Sequence, residues 1–211
     1  LQIHCLGHNT PCPIQTREVI PAEKTGQTVL SVFPFVNNGA REDEFYAYGI
    51  YTDLLTDLGK ADSISVVPLT SLLQAMRSGE RDEDIAGRFG SRTFAKGSIA
   101  RNGSSMNLSI TLKEVDSGRI IWQDTWIENI DDLPAIKGKL ADSILKALGK
   151  NPEEFPGLTE VEVNSVSVYQ KYLRAMHLWK TRTKKEHVEE TRELLLYVVE
   201  KEPEMIPARV L

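Results

Sequence analysis

Cysteine is scarce in this chain: 211 residues carry two, Cys5 and Cys12. So few thiols exclude a disulfide-stapled scaffold and fit a protein held by a hydrophobic core, and the expected location is cytoplasmic. An excess of positive charge is also missing. Lys and Arg total 25 against 30 Asp and Glu, a net charge of −5. Phosphate backbones select the opposite balance, so no nucleic acid is expected to bind these residues. No apolar run approaches the ~18 residues of a bilayer span, and no membrane contact is expected. The first twenty residues lack a basic stretch followed by an apolar one, so no secretory leader is read there. Residue 1 is Leu, which reads as a piece cut from a longer protein. Glycine-rich phosphate loops are absent as well. The turn Asn37-Asn38-Gly39-Ala40 after the first strand lacks the Lys and the spacing of a nucleotide cradle, and no cofactor is expected.

What is present is ordinary globular material, 41% hydrophobic and 26% charged. Residues 1–27 hold Pro11, Pro13, Pro21 and Gly26 with little periodicity and read as an arm or interdomain linker. Within them, His4-Cys5-Leu6-Gly7-His8-Asn9-Thr10-Pro11-Cys12 packs four potential metal ligands into nine residues. A zinc finger needs two close pairs set well apart, so no metal is assigned here. A Cys5–Cys12 disulfide is sterically allowed but would require an oxidising compartment.

From 28 the periodicity becomes informative. Thr28 to Phe35 is a β-branched and aromatic run that reads as a buried strand stopped by Pro34. Asp43 offers an N-cap, and Tyr46, Ile50, Leu54 and Leu58 form one stripe of a helix running to Lys60. Ser63–Pro68 reads as a second strand, making a right-handed crossover, and Asp82–Phe89 as a short helix ended by Gly90. Then Arg101-Asn102-Gly103-Ser104 predicts a tight hairpin turn with Asn-Gly at its centre. Met106, Leu108, Ile110 and Leu112 alternate with polar residues, Asp116-Ser117-Gly118 turns again, and Ile120 through Trp126 is the last strand. Asp131 and Asp132 cap a helix with Pro134 in its first turn and Leu133, Ile136, Leu140, Ile144 and Leu148 on its face. The expected order is β-α-β-α-β-β-β-α. This is an α/β (α+β) domain over 28–150, with helices packed on a mixed sheet.

Residues 151–164 have linker composition, with Pro152, Pro156 and Gly157 among several Glu. Two helices follow within 165–211. The first presents Val168, Tyr172, Ala175, Met176 and Trp179. The second opens on the capping box Thr183 to Glu186, presents Val188, Leu195 and Val198, and closes at Pro203.

Four stretches carry a family resemblance: Val32-Phe33-Pro34-Phe35 with Asn37; Glu44 to Ile50 leading into Leu54-Leu55; Asp84-Ile85 through Lys96-Gly97-Ser98; and Asp116 to Trp122. With them, 28–150 resembles the TolB amino-terminal-like domain family. Tyr172-Leu173-Arg174-Ala175, Thr191, Leu195 and Pro203 make 165–207 resemble the opening of a tetratricopeptide (TPR) array, with Thr191 a departure from the small apolar residue of the repeat. A single repeat cannot bury its own face, so continuation past Leu211 is expected. The resemblance implies the interaction or sensor half of a larger bacterial regulator. In such regulators a winged-helix DNA-binding module or a class III nucleotide cyclase stands before this region. An envelope scaffold is a third reading, since the domain is named for an envelope protein.

The search for chemistry yields little, and the chain is read as non-enzymatic. Asp53 and Asp57 lie four apart on one helix face. With no His or Lys partner nearby in sequence, they read as a solvated surface. His177 and His187 have no Ser or Cys nucleophile to serve. The candidate partner contacts are Tyr51 and Trp126 as exposed aromatics, with His177 and Trp179 in the groove of the repeat. The implied partner is a protein or small effector, and self-association into a homo-oligomer is allowed.

Overall fold

Pro34 sets the first feature of the architecture. In this computed structural model, which describes residues 27–154, 165–203 and 205, the opening strand is broken in two. Strand β1 (Thr28–Val32) and the two-residue β2 (Val36–Asn37) both run parallel to β4 (Thr93–Asn102). Val32 pairs with Ala95 and Val36 with Ser98, so four steps on one strand match three on the other. That extra residue is a bulge, and the proline that cannot donate sits inside it. Phe35 is turned over Gly97 of β4, where a side chain would collide with the Phe35 ring.

The sheet of six strands has the order β3-β1-β4-β5-β6, with β2 also on β4; β3 is Ile64–Val66, β5 Ser105–Glu114 and β6 Ile120–Asn129. The β4-β5-β6 meander is antiparallel, as the alternation of Met106, Leu108, Ile110 and Leu112 requires, and all four are buried. The turn falls one residue later than predicted. Asn102 still pairs with Ser105, so the loop is Gly103-Ser104, with Gly103 at φ 61° supplying the positive φ at its first position. The last strand extends to Asn129.

Helices cover the sheet unequally. Helix α1 (Glu44–Leu58) and helix α4 (Leu133–Ala147) bury the predicted stripes against Leu30, Val32, Ala95 and the inner face of β5. A helix the periodicity did not single out, α2 (Leu69–Met76), joins α3 (Asp82–Arg88) on the opposite face. There Leu72, Ala75, Ile85 and Ala86 enclose Phe33 and Phe94, whose rings meet edge-to-face at 5.7 Å. Buried Ser31 and Ser91 satisfy one another across 2.8 Å on that side.

Three caps differ from expectation. Asp43 makes no capping bond and instead pairs with Arg101 of β4 at 3.1 Å. The Asn129 side chain, rather than Asp131, accepts the amide that opens the turn before α4. The second helix of the C-terminal pair begins at Lys185 with Lys184 before it, so Thr183 is one residue too early to close its box. Gly90 holds the left-handed φ predicted after its helix, and Gly149 takes the same conformation after α4. The arm with His4, Cys5, His8 and Cys12, the linker over 155–164 and the end of the chain from 206 lie outside the described residues.

Candidate functional site

Helices α5 (Val166–Thr181) and α6 (Lys185–Lys201) form an antiparallel hairpin that packs on α1. Gly49 makes this approach close. A Cβ there would lie 2.5, 2.9 and 3.0 Å from three side-chain carbons of Leu173. One turn further along α1, the Tyr169 hydroxyl donates to Asp53 at 2.5 Å. Asp53 is 7% exposed and Asp57 fully buried, the latter bridged to Lys60 at 3.0 Å. The solvated surface expected for this pair is therefore wrong: α5 covers it, a contact 116 residues away in sequence. Burial, with the Asp53 charge next in weight, holds the Tyr169 phenol well above its ordinary pKa.

Between the hairpin helices, with Phe45 of α1 as one wall, lies a groove of about 620 Å³. Lys171 and Arg174 of α5 face Glu190, Glu193 and Tyr197 of α6 across it. Arg174 bridges Glu190 at 2.8 Å, and the Lys171 ammonium sits 5.0 Å from the centre of the Tyr197 ring. Ser167 and Gln170 add hydrogen-bonding groups at the α5 end. The size suits a ligand, and the open lining mixes the charged groups with apolar surface from Phe45, Leu194 and Tyr197. Such a groove offers alternating charge and an aromatic platform to an extended segment.

Of the four predicted contacts, none lines this groove, and the structure does not bring them together. Tyr51 corrects the expectation of exposure. It is 1% exposed, donates to the Val32 carbonyl at 2.8 Å and packs against Phe35, because α1 is buried on the sheet side as well as under α5. Trp126 is half-buried on the inner face of β6, 6.0 Å from Trp122. His177 turns to Tyr48 of α1, ring centres 5.9 Å apart, and burial lowers its pKa against the opposing pull of Glu44. Trp179 is capped by Arg182, 3.7 Å above its ring. The groove residues were missed because Lys171, Arg174 and Glu190 look like ordinary helix surface until the hairpin register pairs them. Among the described residues no cluster of three or more His, Cys, Asp or Glu is set for a metal, and no helix is long and apolar enough to cross a membrane.

No family model matches the chain. It is similar to Putative adenylate cyclase 3 of Rhizobium meliloti, 22% identical over 129 residues, which is 61% of this chain and 22% of that protein. The chain thus spans under a quarter of that relative's length. Similar solved structures include TolB from Acinetobacter baumannii, 13% identical over 58% of this chain and 28% of that one, TM-score 0.43. The LpoB C-terminal domain from Salmonella enterica is 20% identical over 51% of this chain and 87% of that one, TM-score 0.39. Lipoprotein GNA1162 from Neisseria meningitidis is 13% identical over 58% and 96%, TM-score 0.43. The cytoplasmic location expected from the sequence does not stand, because it rested on a low cysteine count that fits either side of a membrane.

Proposed function

We propose that this chain is a non-catalytic interaction region of a larger bacterial signalling protein, a transcriptional regulator in the first reading. It takes a segment of a protein partner into the α5–α6 groove. The observation that carries this is the groove itself: Lys171, Arg174, Glu190 and Tyr197 stand on a hairpin that shares one core with the sheet. Binding there is relayed through α5 to α1 rather than absorbed by a loose appendage. Helices of 16 and 17 residues in an antiparallel pair are also what the opening of a TPR array supplies. A second reading has the same region attached to a nucleotide cyclase, and the likeness to Putative adenylate cyclase 3 favours it.

The test is made in the full-length protein. Lys171→Glu with Tyr197→Ala is expected to change the output of the attached effector module, read as reporter transcription or cyclic nucleotide formed, while leaving the fold intact by circular dichroism. Output that ignores the groove under every growth condition would contradict the proposal.

A further inference from the structure

The far end of the hairpin concentrates positive charge in a chain whose net charge is −5. Lys180, Arg182, Lys184 and Lys185 lie within six residues, all exposed. Lys185 pairs with Glu189 at 3.2 Å, whereas Lys180, Arg182 and Lys184 have no carboxylate partner among the described residues. Helix α5 runs antiparallel to α1: Tyr169 meets Asp53, Leu173 meets Gly49, and His177 meets Tyr48. One more turn brings Thr181, the last residue of α5, level with Glu44 at the start of α1, and the exposed residues 182–184 follow at that end. Trp179 stands at its base, with Arg182 stacked on the ring and donating to the Trp179 carbonyl.

We propose that this tip, Trp179 to Lys185, is a docking surface for an anionic lipid bilayer. An exposed tip of four basic side chains suits the broad, negatively charged headgroup layer, and an aromatic beside basic residues belongs at that interface. Neither the α5–α6 groove nor the cleft between α3 and the β5–β6 turn includes a tip residue, so the tip is a surface apart from both. Arg182 covers one face of the Trp179 ring, taking the place a stacked nucleotide base would need. The net negative charge of the whole chain favours contact through this basic tip. The proposal rests on other residues than the groove: the tip begins five residues beyond Arg174, the last groove residue of α5, roughly 8 Å at 1.5 Å per residue.

The test is cosedimentation of the whole chain with vesicles of phosphatidylcholine alone and of phosphatidylcholine with about one-third phosphatidylserine. Expected is binding that requires phosphatidylserine, weakens as salt rises, and falls about 100-fold in Lys180→Gln/Arg182→Gln/Lys184→Gln, roughly fivefold per cation. In Trp122→Phe/Trp126→Phe, emission from Trp179 should shift to the blue on the same vesicles. Absent binding, binding the triple variant retains, or a bound chain with unmoved Trp179 emission would each overturn the proposal. So would equal affinity for duplex DNA or for a polyglutamate peptide at the same salt.

Discussion

Gly49 is where the account of the α5–α1 contact is most exposed to test. In an isolated helix Gly49→Ala would stabilise by ~1 kcal/mol, since Ala loses less backbone entropy. Here the new methyl would stand 2.5 Å from Leu173 Cδ2, which can swing, but also 2.9 and 3.0 Å from Leu173 Cβ and Cγ, which are tied to α5. Overpacking of that kind costs about 1–3 kcal/mol, so the steric term wins and the net loss is about 1 kcal/mol. Gly49→Val, with two further methyls and a smaller propensity gain, should lose about 3 kcal/mol or more. Urea unfolding of the two variants measures this, and in thermal unfolding each kcal/mol should appear as about 2–4 °C in Tm. Leu173→Ala removes Cγ and Cδ2 but leaves Cβ, so a double-mutant cycle should return a coupling of about 1 kcal/mol. If Gly49→Ala stabilises the chain by its full helix-propensity gain, α5 does not rest on α1 as described.

Further expectations follow from the same interface and from its titrating groups. Tyr169→Phe removes the phenol from Asp53 and should cost ~2 kcal/mol at neutral pH by chemical denaturation. Unfolded tyrosines ionise near pH 10, whereas folded Tyr169 and Tyr51 are both held higher by burial. The folded state therefore keeps protons that the unfolded state releases. Stability should be full below about pH 10 and decline above it, less steeply in Tyr169→Phe; an equally steep decline would refute the assignment. His177 has the opposite sign. Its pKa is lowered by burial, so the folded state binds fewer protons, and stability present above about pH 6.5 is lost as pH falls below it. His177→Gln should flatten that acid limb, and imidazole titration by NMR should show His177 shifted downward. Ser31→Ala alone should cost more than Ser31→Ala with Ser91→Ala, since the single change strands a buried hydroxyl.

The elements legible in the sequence were those whose burial is decided locally. Met106, Leu108, Ile110 and Leu112 alternate because one face of β5 meets the core, and Tyr46 to Leu58 repeat because one side of α1 does. What sequence reasoning missed depends on a second neighbour. Asp53 and Asp57 resemble solvent-facing carboxylates until Tyr169 arrives from α5, and Tyr51 resembles a surface aromatic until Phe35 folds back over Gly97. Gly49 was an available signal, because a glycine inside an otherwise good helix marks a close approach. The groove had no comparable signature: its charges are ordinary helix-surface residues, and only the register of α5 against α6 makes them face one another.

The central claim is that the hairpin and the α/β unit form one cooperative core, so that a partner in the groove acts on the whole. Native-state hydrogen exchange measures this directly. Amides around Tyr169–Leu173 of α5 and Gly49–Asp53 of α1 should exchange together, with the same opening free energy as central β5. Exchange in α5 and α6 that is orders of magnitude faster than in α1 and β5 would contradict it.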